Sequence, residues 1–233
     1  MALPKINSTP KYDMTIPSTN ETVRFRPFLV KEEKVLMIAM ESNDNKQMLN
    51  SIVDTLDACV ENGVKRESLT TFDVEYMFTK LRAKSVGETA NLGVDCQHCE
   101  EQNEITVDID TIEVDVPDTD TMIDIGNNIN VEMRWPSFTN LSQLDLQGSE
   151  TEQAFAILRA SIAAVHTEEE RIDLKDESNK EIQDFIESMN RHQFEKIQKF
   201  VEAMPTLSHQ VNFKCTSCKK DNEITLQGMQ SFF

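Results

Sequence analysis

The 233 residues carry a formal charge of −18, with 39 % apolar and 6 % aromatic side chains and no low-complexity tract. That is enough chain for a hydrophobic core, and no apolar run approaches the ~18 residues of a membrane helix. All of the excess charge sits in residues 100–188, where 23 acidic side chains face 5 basic ones while the rest balances at 18 against 18; such a surface repels phosphate and argues against direct nucleic-acid binding.

In chain order, residues 1–10 hold two prolines and read as a loose arm or a strand added to a neighbour. Tyr12–Ile16 and Thr22–Phe28 alternate around Pro17–Glu21 as a β-hairpin. A helical run covers Lys31–Glu41. A second covers Asn45–Glu61, with Met48, Leu49, Ile52, Val53, Leu56 and Val60 on one face and Gly63 as its stop. A third covers Thr71–Val86, with Val74, Met77, Phe78 and Leu81 as its stripe and Gly87 as its C-cap. After a strand over Ile105–Ile109, Ile112–Val116 alternates as another strand ended by Pro117. Met122–Ile125 and Ile129–Trp135 flank Gly126, Asn127 and Asn128, a turn sequence that tolerates positive φ.

Two capping boxes follow. Ser149 with Glu152 opens a helix whose face is Phe155, Leu158, Ile162 and Val165. Ser178 with Glu181 opens a long one through Ile182, Phe185, Ile186, Met189, Ile197, Phe200, Val201 and Met204, ended by Pro205. Between them Thr167–Asp176 is charged and expected to be exposed. The acidic residues of the strands alternate with aliphatics, as on the wet face of a sheet. No histidine, nucleophile or Gly-rich loop accompanies them, so no enzyme is expected.

The chain also carries an internal repeat. Cys96-Gln97-His98-Cys99 and Cys215-Thr216-Ser217-Cys218 are each followed by three polar residues, then Asn-Glu-Ile-Thr and an aliphatic. Two C-x-x-C tips facing each other can supply four thiolates at ~2.3 Å from one zinc, a closed structural site with no position for substrate. Surface disulfides would need an oxidising compartment, and nothing at the N-terminus reads as a signal peptide. A redox C-x-x-C would not be duplicated. Cys96, Cys99, Cys215 and Cys218 are therefore the expected ligands of one Zn²⁺. Cys59 is expected to be a buried core thiol, and His98 an exposed tip residue. The predicted class is α+β in three parts: an N-terminal hairpin and helices (1–89), a split Cys₄ zinc ribbon (90–116 plus 207–233), and an acidic insert of a β-hairpin and two helices (117–206).

The stretch Phe72–Glu88, through Leu81-Arg82-Ala83-Lys84-Ser85-Val86-Gly87-Glu88 and on to a C-x-x-C and Asn-Glu-Ile, resembles the baseplate proteins of T-even-type contractile-tailed phages, specifically the hub subunit or hub assembly protein. Pro27–Lys34 is similar to the same family. The resemblance covers residues 10–107 and the last twenty or so, and leaves the acidic insert unmatched. It implies a non-enzymatic structural or chaperone-like role in building the baseplate hub in the host bacterial cytoplasm, with the tail baseplate of the virion as the alternative place. Partners implied are other hub proteins and the tape-measure protein, with an oligomer open. Within the matched stretch, Arg82, Lys84 and Glu88 are either partner contacts or solvated residues at a helix C-terminus, where cations are favoured anyway. The competing reading is a zinc-ribbon regulator that binds host transcription machinery through the acidic insert as a DNA mimic.

Overall fold

Strands β1 (Tyr12–Thr15) and β2 (Thr22–Phe25) pair antiparallel, Tyr12 opposite Phe25, as their alternation requires. The computed structural model describes residues 9–42, 44–144 and 149–232, so the expected N-terminal arm lies outside them except for its last two positions. Helices α1 (Val30–Glu41), α2 (Asn45–Cys59) and α3 (Thr71–Ser85) follow. Asp44 caps α2 by accepting from the N–H groups of Lys46 and Gln47. That helix stops one residue before Val60, which turns extended and bridges to Phe25. Val60 thus belongs to a strand-like contact rather than to the helical stripe.

The chain forms two compact units. One takes the residues up to Lys65, Phe72–Asp115 and Thr206 onward; the other takes Arg66–Thr71 and Val116–Pro205. In the first, Phe25, Leu56, Phe72, Met77, Leu81, Ile109 and Ile112 are all but fully buried. Two long hairpins complete it: β3 (Thr89–Asp95) with β4 (Gln102–Asp108), and β9 (Ser208–Lys214) with β10 (Asp221–Gln227). The Glu75 carboxylate on α3 accepts from the N–H groups of Leu207 and Met229, which flank the open end of the β9–β10 hairpin, opposite its cysteine tip. Ile112–Val116 is not a strand. Asp108 caps a 3₁₀ turn over Ile109–Thr111, and Ile109 and Ile112 are both buried at a spacing of three, which one face of a strand cannot provide.

The second unit holds a four-stranded antiparallel sheet in the order β5 (Met122–Gly126), β6 (Ile129–Met133), β7 (Ile162–His166), β8 (Arg171–Asp173). Asn127 and Asn128 both take positive φ at the β5–β6 turn, as their sequence predicts. Helices α4 (Phe138–Gln143), α5 (Glu150–Ser161), α6 (Asn179–Glu187) and α7 (Arg191–Glu202) accompany the sheet. Its core joins Val131, Leu158, Ile162, Val165, Ile186, Ile197 and Phe200, with Trp135 stacked on Phe200 at 4.1 Å between ring centres. Lys196 and Gln193 of α7 donate to the Asp124 and Ile125 carbonyls of β5, which satisfies carbonyls of a strand at the sheet's edge.

Three expectations fail here. Ile162 and Val165 lie on β7, not on the helix opened by Ser149, which ends at Ser161. A register shift at Glu132/Met133 makes Ala163 an extra residue. Two residues three apart therefore both reach the core and imitate a helical period. The long helix from Ser178 is two helices, because Asn190 forms a second capping box with Gln193 and restarts the chain as α7. Thr167–Asp176 is not wholly exposed: β8 and a 3₁₀ turn run through it, and Leu174 is buried.

Candidate metal centre

The hairpins β3–β4 and β9–β10 turn at their cysteine pairs in the same way. Cys96 donates its N–H to the Glu101 carbonyl and accepts at its own carbonyl from Glu100 N–H; Cys215 does the same with Lys220 and Lys219. Glu100 and Lys219, at equivalent positions of the repeat, both take positive φ of about 60° (59° and 61°). A left-handed residue without glycine is uncommon, and here the knuckle geometry requires it twice.

The structure brings Cys96, Cys99, Cys215 and Cys218 together, all four sulfurs within 4.8 Å of one another. Cys96 Sγ lies 3.7 Å from Cys218 Sγ, and Cys99 Sγ 3.7 Å from Cys215 Sγ. A disulfide would need about 2.05 Å. Four thiolates ~2.3 Å from a central ion stand about 3.8 Å apart along the edges of a tetrahedron, and the observed spacing fits that arrangement. Cys96 and Cys215 are buried, Cys218 is partly so, and Cys99 is exposed.

Around the sulfurs, His98 N–H points at Cys96 Sγ and Ser217 N–H at Cys215 Sγ, each at 3.4 Å. Burial opposes ionisation of Cys215, but the N–H groups of Cys218 and Ser217 and the adjacent thiols outweigh it and hold that group at about 6. Cys96 is also lowered, its burial outweighed by the N–H groups of His98 and Cys99. Cys99 is pushed up to about 12: the Glu101 N–H favours its thiolate, but the crowding sulfurs of Cys218, Cys215 and Cys96 prevail. Four negative sulfurs this close repel, so complete ionisation calls for a cation at their centre. The fifth thiol, Cys59, is elsewhere and inert, pushed up to about 11 by burial.

Two residues whose role the sequence left unassigned lock the tips together. Asn103 and Asn222 are the asparagines of the repeated Asn-Glu-Ile-Thr, and both are buried. Asn103 Oδ1 accepts from the N–H (2.7 Å) and hydroxyl (3.0 Å) of Thr216, while its Nδ2 donates to the Glu101 carbonyl. Asn222 mirrors it, accepting from Gln97 N–H at 2.9 Å and donating to the Lys220 carbonyl. Each asparagine thus ties its own knuckle to the residue after the first cysteine of the other. The His98 ring does not join the sulfurs; its Nε2 lies 3.3 Å from the Asp221 carbonyl.

The other singled-out residues lie apart from the thiols. Lys84 Nζ pairs with Glu88 at 2.6 Å and Asp110 at 2.7 Å and lies over the Tyr12 ring. The hydrogen bonds to Asp110 and Glu88 raise its pKa. Arg82 is half-buried, and burial lowers its pKa.

Fold and site together define an α+β protein in which two hairpins far apart in sequence meet at four cysteines able to hold one tetrahedral metal ion. The chain belongs to the T4 bacteriophage base plate protein family, whose model matches residues 9–233. It is a phage tail baseplate protein, then, with other phage proteins as its neighbours. No curated protein and no solved structure matches the chain. No helix among the described residues is long and apolar enough to cross a membrane.

Proposed function

We propose that the chain is a structural or assembly component of the baseplate hub, made in the host bacterial cytoplasm, and that one zinc ion in a split Cys₄ ribbon fixes its fold. It acts through contacts with other hub proteins, the tape-measure protein among them, and not by catalysis. The family match over residues 9–233 supports the baseplate half of this reading, and the four-sulfur cluster carries the metal half. Its donors are all soft thiolates, which select zinc or iron, and with four protein ligands no coordination position is left for substrate.

Native mass spectrometry before and after a strong chelator, on protein co-expressed with hub proteins, tests both halves. One zinc per chain and retention of hub proteins at high salt are the expected results. Four free thiols without metal would remove the ribbon. Salt-labile binding to host polymerase, with none to hub proteins, would instead favour the DNA-mimic reading, since exposed charge contacts are screened by salt.

A further inference from the structure

Helix α1 is built inside out. Its buried residues are Glu32 and Ala39, whereas Val30 is 79 % exposed, Met37 57 %, Ile38 51 % and Met40 59 %, with Val35 also exposed. The inward face is held by polar bonds: Glu32 accepts from Leu29 N–H at 2.8 Å and from the Arg26 guanidinium at 3.0 Å. A surface helix ordinarily turns its apolar stripe to the core. This one turns it outward, and contiguous exposed apolar surface of that kind marks an interaction site. Successive helical residues advance by about 100°. Val30, Lys34, Met37, Ile38 and Glu41 therefore share one outward side, edged by Glu33 and then Met40 beyond Met37, and by Lys31 and then Val35 beyond Ile38.

We propose that this side of α1 docks antiparallel on the same side of α1 in a second copy of the chain, about a two-fold axis. The charges select that occupant. Lys34 and Glu41 lie two helical turns apart on the shared side, and both are exposed. Reversing the helix direction exchanges their positions, so a two-fold that sets Met37 against Ile38 of the partner subunit also sets Lys34 against Glu41 of the partner subunit. The symmetric contact then has four apolar side chains at its centre and one ion pair on either side. A parallel pairing would set like charges against each other. Self-complementarity is what an isologous interface requires, and complementary charges fix register while like charges oppose it. Among the described residues, neither Lys34 nor Glu41 has an ion-pair partner within the chain. Phe28 N–H donates to Ser85 Oγ, so the exposed Leu29 and Val86 extend the patch at the start of the helix. One 12-residue helix per copy makes a contact smaller than the ~1,200 Å² of a tight complex, so the dimer is reversible.

The test is sedimentation velocity on the full, zinc-loaded chain from roughly 1 to 300 µM, a range suited to weak association. A monomer–dimer equilibrium is expected. Lys34→Glu and Glu41→Lys should each weaken it about tenfold or more, worth ~1.4 kcal/mol per decade, and the chain carrying both reversals should recover it. Met37→Asp should leave a monomer. All three side chains are exposed, and circular dichroism with zinc content verifies that each variant is folded. Monomer at every concentration, a dimer indifferent to Lys34→Glu, or a double reversal that fails to restore association would each overturn the proposal. So would loss, on Met37→Asp, of a different baseplate protein from a chain that never self-associates. The inference does not depend on the zinc reading: zinc content is measured on the same samples, and either result can fail alone.

Discussion

A buried carboxamide is costly unless both of its ends are bonded. Asn103 and Asn222 meet that requirement with backbone groups of both knuckles, which makes them the residues that set one tip against the other. Asn103→Ala would leave Thr216 N–H and the Glu101 carbonyl without these partners, at ~1–3 kcal/mol for each group that stays buried. The expected outcome is a lower melting temperature and a metal that still binds one per chain but passes faster to a competing chelator. Thermal melts and a chelator-exchange time course check both, and wild-type behaviour in both would deny the asparagine its role. The cysteines were legible in the sequence because ligand chemistry restricts both residue type and spacing. The asparagines were visible only as part of a repeat, since a hydrogen bond to backbone leaves no spacing rule of its own. Glu32 was invisible for a related reason: a buried carboxylate paired with Arg26 looks, in one dimension, like any other charge on a helix.

Among the elements, those that announce their ends locally could be read: the capping boxes at Ser149 and Ser178 and the paired asparagines at 127 and 128. Those decided by tertiary pairing could not. β7 has the apolar spacing of a helix because of its bulge against β6, and α6 and α7 share an apolar pattern that runs across their break. The break did leave a sign: Phe194 follows Met189 by five positions instead of four, which shifts the phase at the Asn190 cap. Asn190→Ala removes the acceptor for Gln193 N–H and should cost about 1 kcal/mol, within the ~0.5–2 kcal/mol usual for such caps. Urea unfolding measures it, as a lower midpoint with an unchanged slope.

For the whole molecule, the four sulfurs join segments of the first unit that lie 116 positions apart between Cys99 and Cys215. A structural zinc contributes about 10–16 kcal/mol of apparent binding free energy, comparable to the ~5–15 kcal/mol net stability of a typical domain. Cys99→Ser or Cys215→Ser should therefore give an insoluble or partly unfolded chain, whereas Cys59→Ala removes one small buried side chain and leaves the metal in place. Solubility and calorimetric melts compare them. A soluble Cys215→Ser chain that melts cooperatively at the wild-type temperature would refute the metal's structural role.

The distance between the two tips also matters during synthesis. At about 5–20 residues per second, the ribosome needs roughly 6–23 s to pass from Cys99 to Cys215. Throughout that interval the nascent chain displays half a coordination site, two thiols with no counterpart of their own. On a crowded polysome, a finished neighbour offers the matching half. With the proposed zinc joining the halves, translation speed and the order in which metal meets the chain would bear on whether each molecule closes on itself or is laced to the next.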